Sequence, residues 1–191
     1  MHTVHHTDSF ILKSTPSGEA SRRVWLFTRE FGLVVASVQG VRKQGAKLQM
    51  QLAEYSFVAT DLVRGKDVWR LVTVSEIVAP LLSGKKTALA RGYVRTLAAV
   101  ERFCHGEEIN PQLFEHLLEC IGTLSGADLD AKSFDTVSLW KVLAALGYIS
   151  VEEEDRHLYT MPFEEAVRSI NIETRSRLIK EINETIKQTH L

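Results

Sequence analysis

Hydrophobic positions change their period near residue 85. Before it, short runs of β-branched and aromatic residues alternate with polar ones at a period of two. Ser9 to Thr15 reads as a first strand, closed by the turn signal Pro16-Ser17-Gly18-Glu19. The apolar runs on either side of Phe31-Gly32 read as a β-hairpin with a loop longer than two residues or a bulge at the glycine. Leu48 to Val63, centred on Tyr55 to Thr60, supplies a fourth strand. Arg64 to Asp67 is a turn, and Val68 to Val78 a fifth strand that Pro80 stops. Five antiparallel strands in so short a stretch suit a small closed barrel, because closure removes exposed edges. The oligonucleotide-binding (OB) fold is the leading barrel of that strand count. Alternation puts either Trp25 and Phe27 or Val24 and Leu26 inward. Since a five-stranded barrel needs large core residues, Phe27 and Trp69 are expected inside and Trp25 is left open.

From Lys85 the apolar spacing becomes three and four. Leu89, Tyr93, Leu97, Val100 and Cys104 mark an amphipathic helix over 85–105, ended by Gly106. Pro111 opens a second helix to about Leu124, with Glu115, His116 and Glu119 on its wet face. A third runs from about Ser133 to Leu146, with Phe134, Val137, Trp140, Val142 and Leu143 inward and Gly147 as its stop. Glu152 to Asp155 reads as an acidic loop, or a short hairpin with Leu158-Tyr159. Helices at about 163–169 and 173–188 follow, the last burying Leu178, Ile179, Ile182 and Ile186. The expected fold class is therefore α+β with two domains: a five-stranded OB barrel over 1–82 and an α-helical domain over 83–191.

Charge separates the same halves. The 191 residues carry a net charge of −1, but residues 1–84 hold ten Lys and Arg against seven Asp and Glu, and the remainder thirteen against seventeen. Between Lys13 and Lys47 there are seven basic residues and two acidic ones. A cationic hairpin running into the basic segment Gly40 to Lys47 suits a polyanion, with nucleic acid the default. Arg22, Arg42, Lys43 and Lys47, in or beside loops, are candidates for phosphate; Arg23 and Arg29 share a strand face with Trp25 and Phe27, which suits base stacking.

Gly18-Glu19, Arg22, Leu26-Phe27-Thr28, Gly32, Gly40, Arg42-Lys43, Lys47-Leu48, Leu52 and Tyr55 occur in an order that resembles the amino-terminal domain of the RecO family of bacterial recombination mediators. The resemblance covers roughly residues 9 to 60. It implies an OB barrel followed by a helical domain, and a protein that binds single- and double-stranded DNA and anneals complementary strands. It also implies help to the recombinase in replacing single-stranded DNA-binding protein at gaps. The implied partners are RecR and the acidic, apolar-ended C-terminal tail of single-stranded DNA-binding protein. Arg91, Arg95 and Arg102, on one face of the first helix, are candidates for the cationic rim of that tail's receptor. Many members carry two Cys-x-x-Cys pairs for zinc in the helical domain. Here Cys104 and Cys120 stand alone and read as small apolar core residues, so no zinc is expected. The chain also looks short for the family, the shortfall lying in the helical part.

Catalytic signals are missing. There is no Gly-x-Ser-x-Gly, phosphate loop or His-Glu-x-x-His, and the consecutive acids Glu152 to Asp155 read as solvated. His2, His5 and His6 read as a frayed or tag-like terminus and not as metal ligands. The expectation is a non-enzyme without cofactor or metal, cytoplasmic and nucleoid-associated, since every long apolar run is broken by charge. Two alternatives stand beside DNA binding: a protein–protein adaptor built on the barrel, and a Mg²⁺- or Mn²⁺-dependent nuclease.

Overall fold

A computed structural model describes residues 3–17, 21–39, 52–66, 68–78, 88–125 and 128–189. They fall into two compact units. One comprises 1–84 with 105–110, the other 85–104 with 111–191.

The first unit is a closed barrel of β1 (Val4–Pro16), β2 (Ser21–Thr28), β3 (Gly32–Gln39), β4 (Phe57–Arg64) and β5 (Trp69–Val78), in the order β1-β2-β3-β5-β4. This is the OB topology. The strand β1 closes the circle because it serves two neighbours: residues 9–16 pair with β2 and residues 4–10 with β4, and a register shift between Ile11 and Lys13 bends it between them. The expectation of an all-antiparallel barrel fails at one seam, where β3 meets β5 in parallel through Ala36–Trp69 and Ser37–Arg70. The start of β1 is also corrected. Its strand begins at Val4, not Ser9, so His5 and His6 are strand residues and not a frayed end. Pairing with β4 supplies the backbone partners that the polar side chains concealed. Pro80 lies outside the described residues.

Inside the barrel, Ile11, Val24, Leu26, Val34, Ala36, Val58, Leu62, Trp69 and Val74 form one core. Val24 and Leu26 therefore point inward. Phe27 is fully buried as expected, but on the opposite strand face, opposite Phe10, which in turn pairs with Phe57. The hairpin turn is Arg29-Glu30-Phe31, and Gly32 takes φ +65°. A Cβ there would meet the Glu108 carbonyl oxygen at 2.2 Å, so both the backbone angle and the close approach demand glycine. That approach is part of a seam: Leu33 N–H donates to the Gly106 carbonyl, Trp69 Nε1 donates to Glu107 at 3.0 Å, and Arg64 pairs with Glu107 at 3.1 Å.

The second unit contains α1 (Ala88–Phe103), α2 (Pro111–Thr123), α3 (Ala131–Ala145), a 3₁₀ turn (Glu153–Asp155), α4 (Arg156–Thr160), α5 (Phe163–Ser169) and α6 (Ile172–Gln188). Helix α3 packs against α1, α2, α5 and α6, so most of it is buried and its buried polar residues find partners within the unit. Thr96 donates to Ser138, Trp140 Nε1 to Glu181, and the buried Lys141 ammonium to the Met161 carbonyl at 2.7 Å. Asp130 caps the start of α3 through the Ser133 N–H, and Gly147 at φ +78° ends it. There the N–H groups of Gly147 and Tyr148 return to Ala144 and Leu143.

Three helical expectations are corrected. His116 is buried at 9% exposure, not on a wet face, because α2 is covered by both α3 and α5. Ile179 is 42% exposed, because only Leu178 and Ile182 of α6 are buried. Glu152, Glu153 and Glu154 are solvated as expected, but the segment is a 3₁₀ turn and not a loop or hairpin, and its last acid is buried. Asp155 is 5% exposed and accepts two hydrogen bonds from Arg177, at 2.5 and 2.7 Å. Cys104 and Cys120 are buried free thiols, as the apolar reading expects.

Candidate nucleic-acid interface

The outward face of β1, β2, β3 and β5 carries two cross-strand rows. In the first, Lys13, Trp25 and Val35 are register partners; in the second, two residues along, Thr15, Arg23, Ser37 and Arg70 are. Two residues of strand set the rows about 7 Å apart. Because Val24, Leu26, Val34, Ala36 and Trp69 face the core, their neighbours in sequence must face out, which is how the pleat places Arg23, Trp25, Val35 and Arg70 together. Arg23 and Arg70 are exposed and form no ion pair among the described residues. Trp25 is half-buried, with the Lys13 ammonium 5.6 Å from its ring centre.

The sequence-derived candidates fare unequally. Arg22 is half-buried and tied to β1, its Nε donating to Ser14 Oγ at 2.8 Å and its Nη2 to the Ser14 carbonyl at 2.6 Å. Arg29 sits in the hairpin turn, its backbone N–H on the Asp8 carbonyl and its side chain half-buried. Only Arg23 of the hairpin set joins the exposed rows. Arg42, Lys43 and Lys47 lie outside the described residues. Arg70 and Lys13 were not singled out from sequence. The signal for Arg70 was available, since a core Trp69 forces its strand neighbour outward.

In the helical unit Arg91, Arg95 and Arg102 are all exposed on α1. Arg95 pairs with Asp135 at 2.8 Å, and the Arg102 guanidinium lies 5.2 Å from the Phe103 ring centre. Asp135 also lines a cavity of about 270 Å³ with Leu139, Ile179, Ile182, Lys132 and Arg175. The buried interior holds unusual ionisable groups. Burial, and secondarily the nearby Lys141 ammonium, lowers the His116 pKa to about 4, and its Nε2 has no hydrogen-bond partner among the described residues. Burial likewise lowers Lys141 and raises the Cys120 thiol. Among the described residues no group of three or more His, Cys, Asp or Glu is placed to hold a metal ion, and no helix is long and apolar enough to cross a membrane.

Residues 1–80 match the model of the recombination protein O N-terminal domain. The chain is also 31% identical over 141 residues to the DNA repair protein RecO of Mannheimia succiniciproducens, covering 72% of this chain and 60% of that protein. The chain belongs to the RecO family. The RecO of Pelotomaculum thermopropionicum is 30% identical over 162 residues, 81% of this chain and 59% of its own, and that of Clostridium novyi 26% over 148, 76% and 57%. These alignments are longer than the barrel, so the likeness continues into the helical unit. The chain spans about half to three fifths of the length of the curated relatives it matches.

Proposed function

We propose that this chain is a DNA-binding recombination mediator of DNA repair that acts by binding and not by catalysis. On this reading it holds single- and double-stranded DNA on the barrel, anneals complementary strands and assists recombinase loading at gaps. The observation that carries the reading is the outward barrel face, where exposed Arg23 and Arg70 lie in the row next to Trp25 without carboxylate partners among the described residues. The strand-2 and strand-3 face of an OB barrel is also where such folds take oligonucleotides. RecO membership supports the same reading, since the relatives are named DNA repair proteins.

The basic segment Arg42, Lys43 and Lys47 is the second part of the proposed footprint. Each phosphate neutralised on a single strand contributes about −0.7 to the slope of log affinity against log salt. Converting the three to Ala together should flatten that slope by roughly 2 units, with equal weakening for pyrimidine-rich and mixed sequences. Oligonucleotide binding by the full chain at several salt concentrations tests this. An adaptor that does not use DNA would show no steep salt dependence, and a nuclease would cleave the oligonucleotide when Mg²⁺ or Mn²⁺ is added.

The proposed protein partners are RecR and the C-terminal tail of single-stranded DNA-binding protein. An acidic tail ending in apolar residues needs an apolar floor with cations at its rim. Leu139, Ile179 and Ile182 offer such a floor, with Lys132, Arg175 and, through Asp135, Arg95 nearby. Titration of a labelled tail peptide should show weaker binding by an Arg91→Ala, Arg95→Ala double variant. Unchanged affinity would remove α1 from this role.

A further inference from the structure

We propose that Trp25 is a stacking platform for one unpaired base of a single strand, with flanking phosphates held by Lys13 on one side and by Arg23 and Arg70 on the other. This rests on the DNA-binding reading above and goes beyond it by naming the group that would tell a single strand from a duplex. A base can lie on an indole only when it is out of its pair, whereas phosphates are offered equally by both forms.

Three observations converge on Trp25. First, the register sets it between Lys13 on β1 and Val35 on β3, and Val35 is 36% exposed. The indole therefore has an apolar neighbour on the open side of the sheet instead of a charged one. Second, a lysine ammonium lies 5.6 Å from the ring centre, beside the position a base would take, where a phosphate of the same strand would meet it. Third, the next row holds Arg23 and Arg70 on either side of Ser37, about 7 Å along the strands, with no carboxylate paired to either among the described residues. An apolar ring with one cation beside it and two more in the next row is complementary to a base between two phosphates. A peptide without acidic side chains would leave those cations unmatched.

The chain supplies its own reporter. It has three tryptophans, and the other two are buried: Trp69 at 3% exposure with Nε1 on Glu107, and Trp140 at 0% with Nε1 on Glu181. Titrating the full chain with oligo(dT) at low salt should quench tryptophan emission. An abasic oligonucleotide of the same length should bind through its phosphates with little quenching. Trp25→Ala should weaken oligo(dT) binding by about 5- to 150-fold, the range for losing one stacked base, and leave duplex affinity within about twofold. Trp25→Phe, which keeps a ring, should recover most of the loss. Equal quenching by the abasic strand, or oligo(dT) binding with a salt-dependent slope and unchanged emission, would overturn the platform while leaving the DNA-binding reading intact. No binding of any oligonucleotide at low salt would overturn both. These titrations use the native chain, so the decision stands even if the Ala variant folds poorly.

Discussion

Arginines do opposite things in the two units. In the helical unit most of them pair along the surface: Arg177 with Asp155 and Glu154, Arg175 with Asp130, Arg95 with Asp135, Arg168 with Glu164, Arg91 being exposed outside these pairs. On the barrel Arg64 is matched by Glu107, but Arg23 and Arg70 on the outward face are exposed with no carboxylate paired to them among the described residues. A cation already matched contributes to stability and offers less to a phosphate backbone. An unmatched one does the reverse. Variants at the paired arginines of the helical unit should therefore change stability and not DNA binding, and barrel-face variants DNA binding.

The largest effect expected is on acid stability, through His116. Its imidazole titrates near 6.5 when unfolded and about 4 when folded, so between those values the unfolded chain binds more protons. Stability is thus complete above pH 6.5 and is lost as pH falls through 4, by about 3 kcal/mol in the limit. Urea unfolding between pH 7 and 4 should show that loss, and His116→Leu should remove most of the pH dependence. Next is Asp155→Ala. It should destabilise by about 2 kcal/mol, less than a fully buried pair would, because Arg177 remains partly in water. Chemical denaturation measures it, with salt-dependent DNA binding unchanged. The smallest effect on stability belongs to the double variant Arg23→Ala, Arg70→Ala. Its unfolding midpoint should not move, but its salt slope for single strands should flatten by roughly 1.4 units. A shifted midpoint with an unchanged slope would abolish the distinction between the units.

Much of this was legible because local signals and tertiary structure agreed. The β2–β3 hairpin follows from alternation and Gly32, and α3 from its apolar spacing and Gly147. Where reading failed, the deciding partner lay far away in sequence. The polar start of β1 is a strand because of β4, 55 positions on in the case of His6 and Asp61. Asp155 is buried because Arg177 arrives 22 residues later. His116 looked like a surface residue because helical spacing alone cannot say that α2 is covered on two sides. The candidate site was half legible for a related reason. Arg23 lay in a visibly basic stretch, whereas Arg70 joins it only through the parallel β3–β5 pairing, which no local pattern encodes.

The seam at Glu107 bears on how the chain is made. All five strands have been synthesised by residue 78, yet the carboxylate that receives the Trp69 indole N–H and the Arg64 guanidinium comes 29 residues further on. The carbonyl that pairs with Leu33 is nearly as late. A nascent chain must therefore hold an incomplete barrel while α1 is translated, with a core indole awaiting its acceptor. At about 5–20 residues per second that interval lasts on the order of one to several seconds. Ordering of the barrel thus depends on contacts of long sequence separation, which slow folding, and a released fragment ending at residue 84 would lack the Gly106 and Glu107 contacts that one ending at residue 110 contains.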